Sequence, residues 1–164
     1  MQAMVATCKC HARAALLALV SLLFAVPGHA QLRLDITQGV RDAVPIAVVP
    51  FGGQAEGGAS DVAAVVANDL RMSGRFAPLE RRDMVTRPTS GTEIRFEDWQ
   101  LLKSDFIVVG RVEPDGAGLA VSFELHNVRT GASLLAQRLP TNERGLRATA
   151  HRIADLVFER LTGI

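Results

Sequence analysis

Tyrosine is absent from this sequence, tryptophan occurs once, and aromatic residues make up only 5% of it. That is too few to build the stacking platforms on which bases and sugars are held. Cysteine occurs twice, as Cys8 and Cys10, and both precede the apolar run from Ala14 to Val26. A domain that begins after that run has no thiol, so it contains no disulfide, no thiolate metal ligand and no cysteine nucleophile. Charge of one sign is also lacking, since the formal net charge is +1 at pH 7. This balance gives no electrostatic case for binding nucleic acid or an anionic membrane.

What the first thirty residues do contain is ordered. Lys9 and Arg13 form a basic start with no acidic residue, and the run "AALLALVSLLFAV" follows. Pro27 and Gly28 then break it, with small Gly28 and Ala30 flanking His29. Basic, apolar, then small is the order of a secretory signal. The apolar run is shorter than the roughly 20 residues that span a bilayer. Residues 1–30 are therefore expected to be a signal peptide, cut between Ala30 and Gln31. No cysteine stands directly after the run, so a soluble exported product is expected, with no membrane insertion after signal removal. Loss of Lys9 and Arg13 shifts the formal charge to about −1. The remaining length suits one domain with a proper core.

Behind the cut, Leu32, Leu34 and Ile36 alternate with Arg33, Asp35 and Thr37, and Gly39 ends the pattern. This reads as a lone strand. "PIAVVPF", Pro45 to Phe51, is apolar throughout and reads as a strand buried on both faces. "SDVAAVVANDLRMSG" reads as a helix with Ser60 as its N-cap, Val62, Val65, Val66 and Leu70 on one face, and Gly74 as its stop. A short strand "RFAPLE" follows, then a polar loop from Arg81 to Gly91 in which Arg81 and Arg82 are expected to be solvated. "FEDWQLLKS" reads as a short helix with Trp99 and Leu102 facing inward. "DFIVVGRVEP", "GLAVSFELHNV" and "SLLAQRLP" read as an antiparallel meander. In the second of these, Leu119, Val121, Phe123 and Leu125 point inward, and Ser122, Glu124 and His126 outward. A last helix starts at Asn142 and closes at Gly163. The order predicts an α/β fold: a single-domain two-layer sandwich, with a mixed β-sheet and two main helices on one face.

Motifs for chemistry are scarce. The Gly-rich loop 52–58, within "PFGGQAEGGASD", lies between a strand and a helix, where α/β proteins hold phosphates. Its spacing fits neither G-x-G-x-x-G nor the P-loop, it carries no lysine, and Glu56 and Asp61 oppose an anion. His126 and His151 show no metal-binding spacing. Adjacent Glu97 and Asp98 suit the first turn of a helix. No G-x-S-x-G occurs. No catalytic, metal or cofactor site is expected; an interaction module is.

Four stretches carry a resemblance: "LRLDITQGVRDAVPIAVVPF", "DVAAVVANDLRMSGRFAPLERRDM", "DFIVVGRVEPDGAGLAVSFELHNVRTGASLLAQRL" and "LRATAHRIADLVFERLTGI". Together they resemble the N-terminal domain of the TolB family, the periplasmic component of the Tol-Pal system. The resemblance implies a non-enzymatic adaptor that supports outer-membrane integrity and constriction during cell division, and an α/β domain similar to the anticodon-binding domains of some tRNA synthetases. It also implies that residues 31–44 are a docking arm and that 45–164 form the domain. Within the arm, Leu32, Arg33, Leu34, Asp35, Ile36 and Thr37 are expected to bind a TolA-like inner-membrane partner. Pal binding belongs to the family's β-propeller, whose repeated strands are not found up to Ile164. It is therefore assigned to no residue here and is expected only if a separate propeller exists. A truncated product or fragment and a stand-alone relative both fit this ending. The competing reading is a small periplasmic ligand-binding or enzymatic domain that uses loop 52–58.

Overall fold

The computed structural model describes residues 43–54 and 61–164. The expected signal peptide, its cleavage site and the docking arm up to residue 42 lie outside the described residues, as does most of the Gly-rich loop. The described residues form five strands, β1 (Val44–Val48), β2 (Phe76–Pro78), β3 (Phe106–Asp115), β4 (Gly118–Asn127) and β5 (Ser133–Thr141), with helices α1 (Val62–Met72), α2 (Phe96–Leu101) and α3 (Leu146–Thr162). One mixed sheet has the order β2-β1-β3-β4-β5. β1 pairs in parallel with β2 and β3, while β3, β4 and β5 form the expected antiparallel meander.

The strands are hydrophobic on the faces the sheet must bury. Ile46 and Val48 of β1, Val108 and Val112 of β3, and Val121, Phe123 and Leu125 of β4 pack beneath α1 and α3. The two long helices supply Val62, Val66 and Leu70, and Ala150, Ile153 and Val157, at helical spacing. Ala47 of β1 and Val49 just beyond it alternate onto the other face of the sheet, where Ile107 and Val109 of β3 join them. This is why the central segments read as unbroken apolar runs: both faces are covered.

The second face is covered by irregular chain, not by a long helix. Two 3₁₀ turns, Arg81–Asp83 and Gly91–Glu93, and the short α2 lie between β2 and β3. They place Ile94 and fully buried Trp99 against Ala47, Val49, Ile107 and Val109. Leu102 also packs there, partly buried.

Two helix starts differ from the sequence reading. Asp61, not Ser60, caps α1: its carboxylate accepts a hydrogen bond from the Ala64 amide at 3.0 Å. Asn142 caps a 3₁₀ turn, Glu143–Gly145, that precedes α3. Gly163 ends α3 in the left-handed conformation, φ 76°, where a glycine costs no Cβ clash.

Candidate functional site

Leu32, Arg33, Leu34, Asp35, Ile36 and Thr37, like Ala30 and Gln31, lie outside the described residues. The competing loop is described at Gly52, Gly53 and Gln54, and its surroundings are defined. β1 sits where the chain changes direction. The crossover to β2 runs through α1 on one face, and the crossover to β3 runs through α2 on the other. The carboxyl ends of strands at such a switch point are where open α/β sheets bind ligands. A cleft of about 370 Å³ opens there, lined by Gly52, Gly53, Thr89, Arg111, Val112 and Glu113.

The fold itself uses the groups that a ligand would need. Gly52 donates to Gly110 O at 3.0 Å and accepts from Val112 N at 2.8 Å, extending the parallel ladder. Gly53 has φ +78°, and a Cβ there would stand 2.0 Å from Val112 O. Gly53 thus lets the chain beyond β1 approach β3 closely, whereas a Cβ at Gly52 would first meet Thr89 Cγ2 at 2.9 Å. The Arg111 guanidinium faces Glu93 at 3.8 Å and Glu113 at 3.6 Å, and its Nη2 donates to Thr89 Oγ1 at 3.3 Å. Two carboxylates therefore already compensate Arg111, the cation among the described residues that line this cleft. Glu93 is held below the usual carboxylate range, first by the Thr89 amide, with Ser90, Thr89 hydroxyl and Arg111 helping and desolvation opposing.

The anion position at the start of α1 is likewise filled from within. Asp61 is 1% exposed. Its carboxylate caps the helix and receives both arms of Arg81, with Nη1 to Oδ2 at 2.6 Å and Nη2 to Oδ1 at 2.7 Å. The expectation that Arg81 is solvated is corrected here: its fork-shaped donors match a buried carboxylate twenty residues away. Arg82 does remain exposed. An aspartate at a helix start was visible in the sequence, but nothing local marked Arg81 as its partner.

The two described histidines, His126 and His151, lie on opposite sides of the sheet. His151 Nδ1 meets Asp69 Oδ2 at 2.6 Å, tying α3 to α1. His126 is 6% exposed and so is not the surface group its outward position suggested. The strand alternation was right, but the face opposite the long helices is itself covered. His126 Nε2 donates to Glu124 Oε2 at 2.9 Å, and Glu124 Oε1 accepts from the Gly91 amide at 3.2 Å. Among the described residues no group of three or more His, Cys, Asp or Glu could hold a metal ion. No described helix is long and apolar enough to cross a membrane.

The described residues thus define a small mixed-sheet α/β domain whose polar clusters are tied into its own packing. Comparison with known proteins gives the family. The TolB amino-terminal domain matches residues 32–134, and the chain belongs to that family. The Tol-Pal system protein TolB of Nitrosococcus oceani is 42% identical over 150 residues, covering 90% of this chain and 35% of that protein. Its counterpart in Pseudomonas entomophila is 41% identical, covering 89% and 35%. The crystal structure of TolB from Acinetobacter baumannii superposes with a TM-score of 0.64 at 28% identity, over 74% of this chain and 29% of that one. The chain spans about a third of the length of the curated relatives it matches.

Proposed function

We propose that the chain acts as a non-enzymatic periplasmic adaptor of the Tol-Pal system, docking a TolA-like inner-membrane partner through Leu32, Arg33, Leu34, Asp35, Ile36 and Thr37. The observation that carries the reading is the likeness to Tol-Pal system TolB proteins at 41–42% identity over nine-tenths of the chain. The family match also opens at residue 32, directly behind the proposed cut between Ala30 and Gln31. Residues 1–30 then act as the signal, 31–44 as the arm and 45–164 as the domain. In the cell, the adaptor supports outer-membrane integrity and constriction at division.

The chemistry of docking is strand addition. Main-chain hydrogen bonds supply generic affinity, and pockets for alternate side chains supply specificity. Leu32, Leu34 and Ile36 are the anchors, each contributing up to roughly 1.5–3 kcal/mol if fully buried. Ordering the segment subtracts from that sum and leaves an affinity suited to a transient contact.

The test is deletion of residues 31–37, read by binding to the periplasmic domain of a TolA-like protein and by thermal melting. Binding should vanish while the melting temperature of the remaining domain changes little. A deletion that unfolds the domain, with residual binding in proportion to the folded fraction, sinks the docking reading. Intact mass of the exported protein checks the cut: it should begin at Gln31 or its cyclised form and lack Cys8 and Cys10.

A further inference from the structure

The segment between β2 and β3 is joined to the rest of the domain in an unusual way. At one end, the Leu79 amide donates to Ile46 O at 2.8 Å; at the other, the Asp105 amide donates to Pro45 O at 3.0 Å. The crossover therefore leaves and rejoins the sheet at consecutive carbonyls of β1. Just inside the first anchor, Arg81 is clamped on Asp61. Between these ends, the backbone hydrogen bonds among described residues are all local. Examples are Glu93 N to Ser90 O, Ile94 N to Gly91 O, Leu102 N to Asp98 O and Ser104 N to Trp99 O. No backbone ladder connects residues 84–104 to the sheet they cover.

Side chains make the connection instead. Ile94 and Trp99 are buried against the sheet, with Met84, Phe96 and Leu102 packed around them. Polar ties across the boundary include the Gly91 amide to Glu124 Oε1, Arg111 Nη2 to Thr89 Oγ1 and, at 3.8 Å, to Glu93 Oε1, and Gln100 Nε2 to Val128 O at 3.1 Å. The fit at Gly91 is tight, because a Cβ there would stand 2.5 Å from Glu124 Oε2 and 2.6 Å from His126 Nε2. Two buried polar atoms at this boundary, Trp99 Nε1 on the covering segment and His126 Nδ1 beneath it, have no hydrogen-bond partner among the described residues. Burying such groups unpaired opposes closure, and lifting the segment returns both to water.

We propose that residues 84–104 are a strap that opens as one cooperative unit while the five-stranded sheet, α1 and α3 stay folded. The Arg81–Asp61 pair and the Asp105–Pro45 bond are its hinges, and the contact of Gly91 with the Glu124–His126 pair is its latch. Opening costs the burial of Ile94 and Trp99 but breaks no strand pairing, so it lies below global unfolding in free energy.

Native-state hydrogen exchange on the full chain tests this, in the wild type and in Gly91→Ala. In the wild type, the Ile94, Leu102 and Lys103 amides should exchange through an opening with a measurable denaturant slope smaller than that of global unfolding, and be less protected than Val109 and Phe123 in the sheet. Gly91→Ala overpacks the latch in the closed state alone and should speed exchange of the strap amides by about tenfold or more, while their denaturant slope stays below that of the sheet amides. No acceleration in the strap, or strap amides that take on the denaturant slope of the sheet amides, overturns the proposal. Should the variant fail to fold, the wild-type denaturant series decides alone: strap amides that share the protection and denaturant slope of Val109 and Phe123 open only with the whole domain.

Discussion

Asp61 and Arg81 form a bidentate ion pair, at 2.6 and 2.7 Å, that joins the first turn of α1 to the chain leaving β2. The carboxylate is 1% exposed and the Arg81 side chain 30%. One aspartate thus caps a helix, fills the position an exogenous anion would take and anchors the crossover beneath the sheet.

Arg81→Ala should destabilise the domain by about 1.5–3 kcal/mol, the range for hydrogen bonds to charged groups. That is less than the roughly 3–5 kcal/mol for breaking a fully buried pair, because the guanidinium is partly exposed. Arg82→Ala, next door and solvated, should stay within about 0.5 kcal/mol. Urea midpoints of both variants check the contrast, and equal shifts would remove the case for the pair.

Leu70 is fully buried on the sheet-facing side of α1, while Leu101 at the end of α2 is 82% exposed. Leu70→Ala should cost about 2–5 kcal/mol, as truncation in a packed core does. Leu101→Ala should change stability by less than about 0.5 kcal/mol. Calorimetric melting of the two variants separates a real core position from an apolar residue that only resembles one in sequence.

Gly53 and Gly116 both have positive φ, but only Gly53 is crowded. A Cβ at Gly116 meets nothing within 4 Å, whereas one at Gly53 runs into Val112 O. Gly116→Ala should therefore cost only the left-handed backbone penalty, about 1–2 kcal/mol. Gly53→Ala should add an overpacking cost of about 1–3 kcal/mol. Similar denaturation midpoints for the two would show that the approach of β1 to β3 relaxes freely.

Acidification should remove the contribution of Glu93. Its folded-state pKa lies below the ordinary value of 4.5, chiefly because its carboxylate accepts from the Thr89 amide. A depressed carboxyl stabilises the fold above its unfolded pKa and loses that effect as pH falls through the folded one. The stability gap between wild type and Glu93→Gln should be present at neutral pH and close as pH drops well below 4.5. Paired denaturant titrations across that window measure it; a gap that widens on acidification contradicts the sign.

Local pattern in the chain sets the order of the elements and which side of each faces the long helices. Those features are local. Period-two alternation put Leu119, Val121, Phe123 and Leu125 on one face of β4, and helical spacing put Val62, Val66 and Leu70 on one face of α1, as the core confirms. The unbroken apolar run Pro45 to Phe51 marked β1 as covered on both faces. Tertiary structure alone decided what covers the second face. A polar, proline-containing stretch carries no periodic signal, yet with Ile94 and Trp99 it closes over the sheet and buries His126. It also decided that Arg81 finds Asp61, and that Gly53 is a glycine because of Val112 O. Alternation specifies the direction of a side chain, whereas burial and ion pairing depend on what distant chain arrives there, and that is fixed only once strand order and crossovers are set.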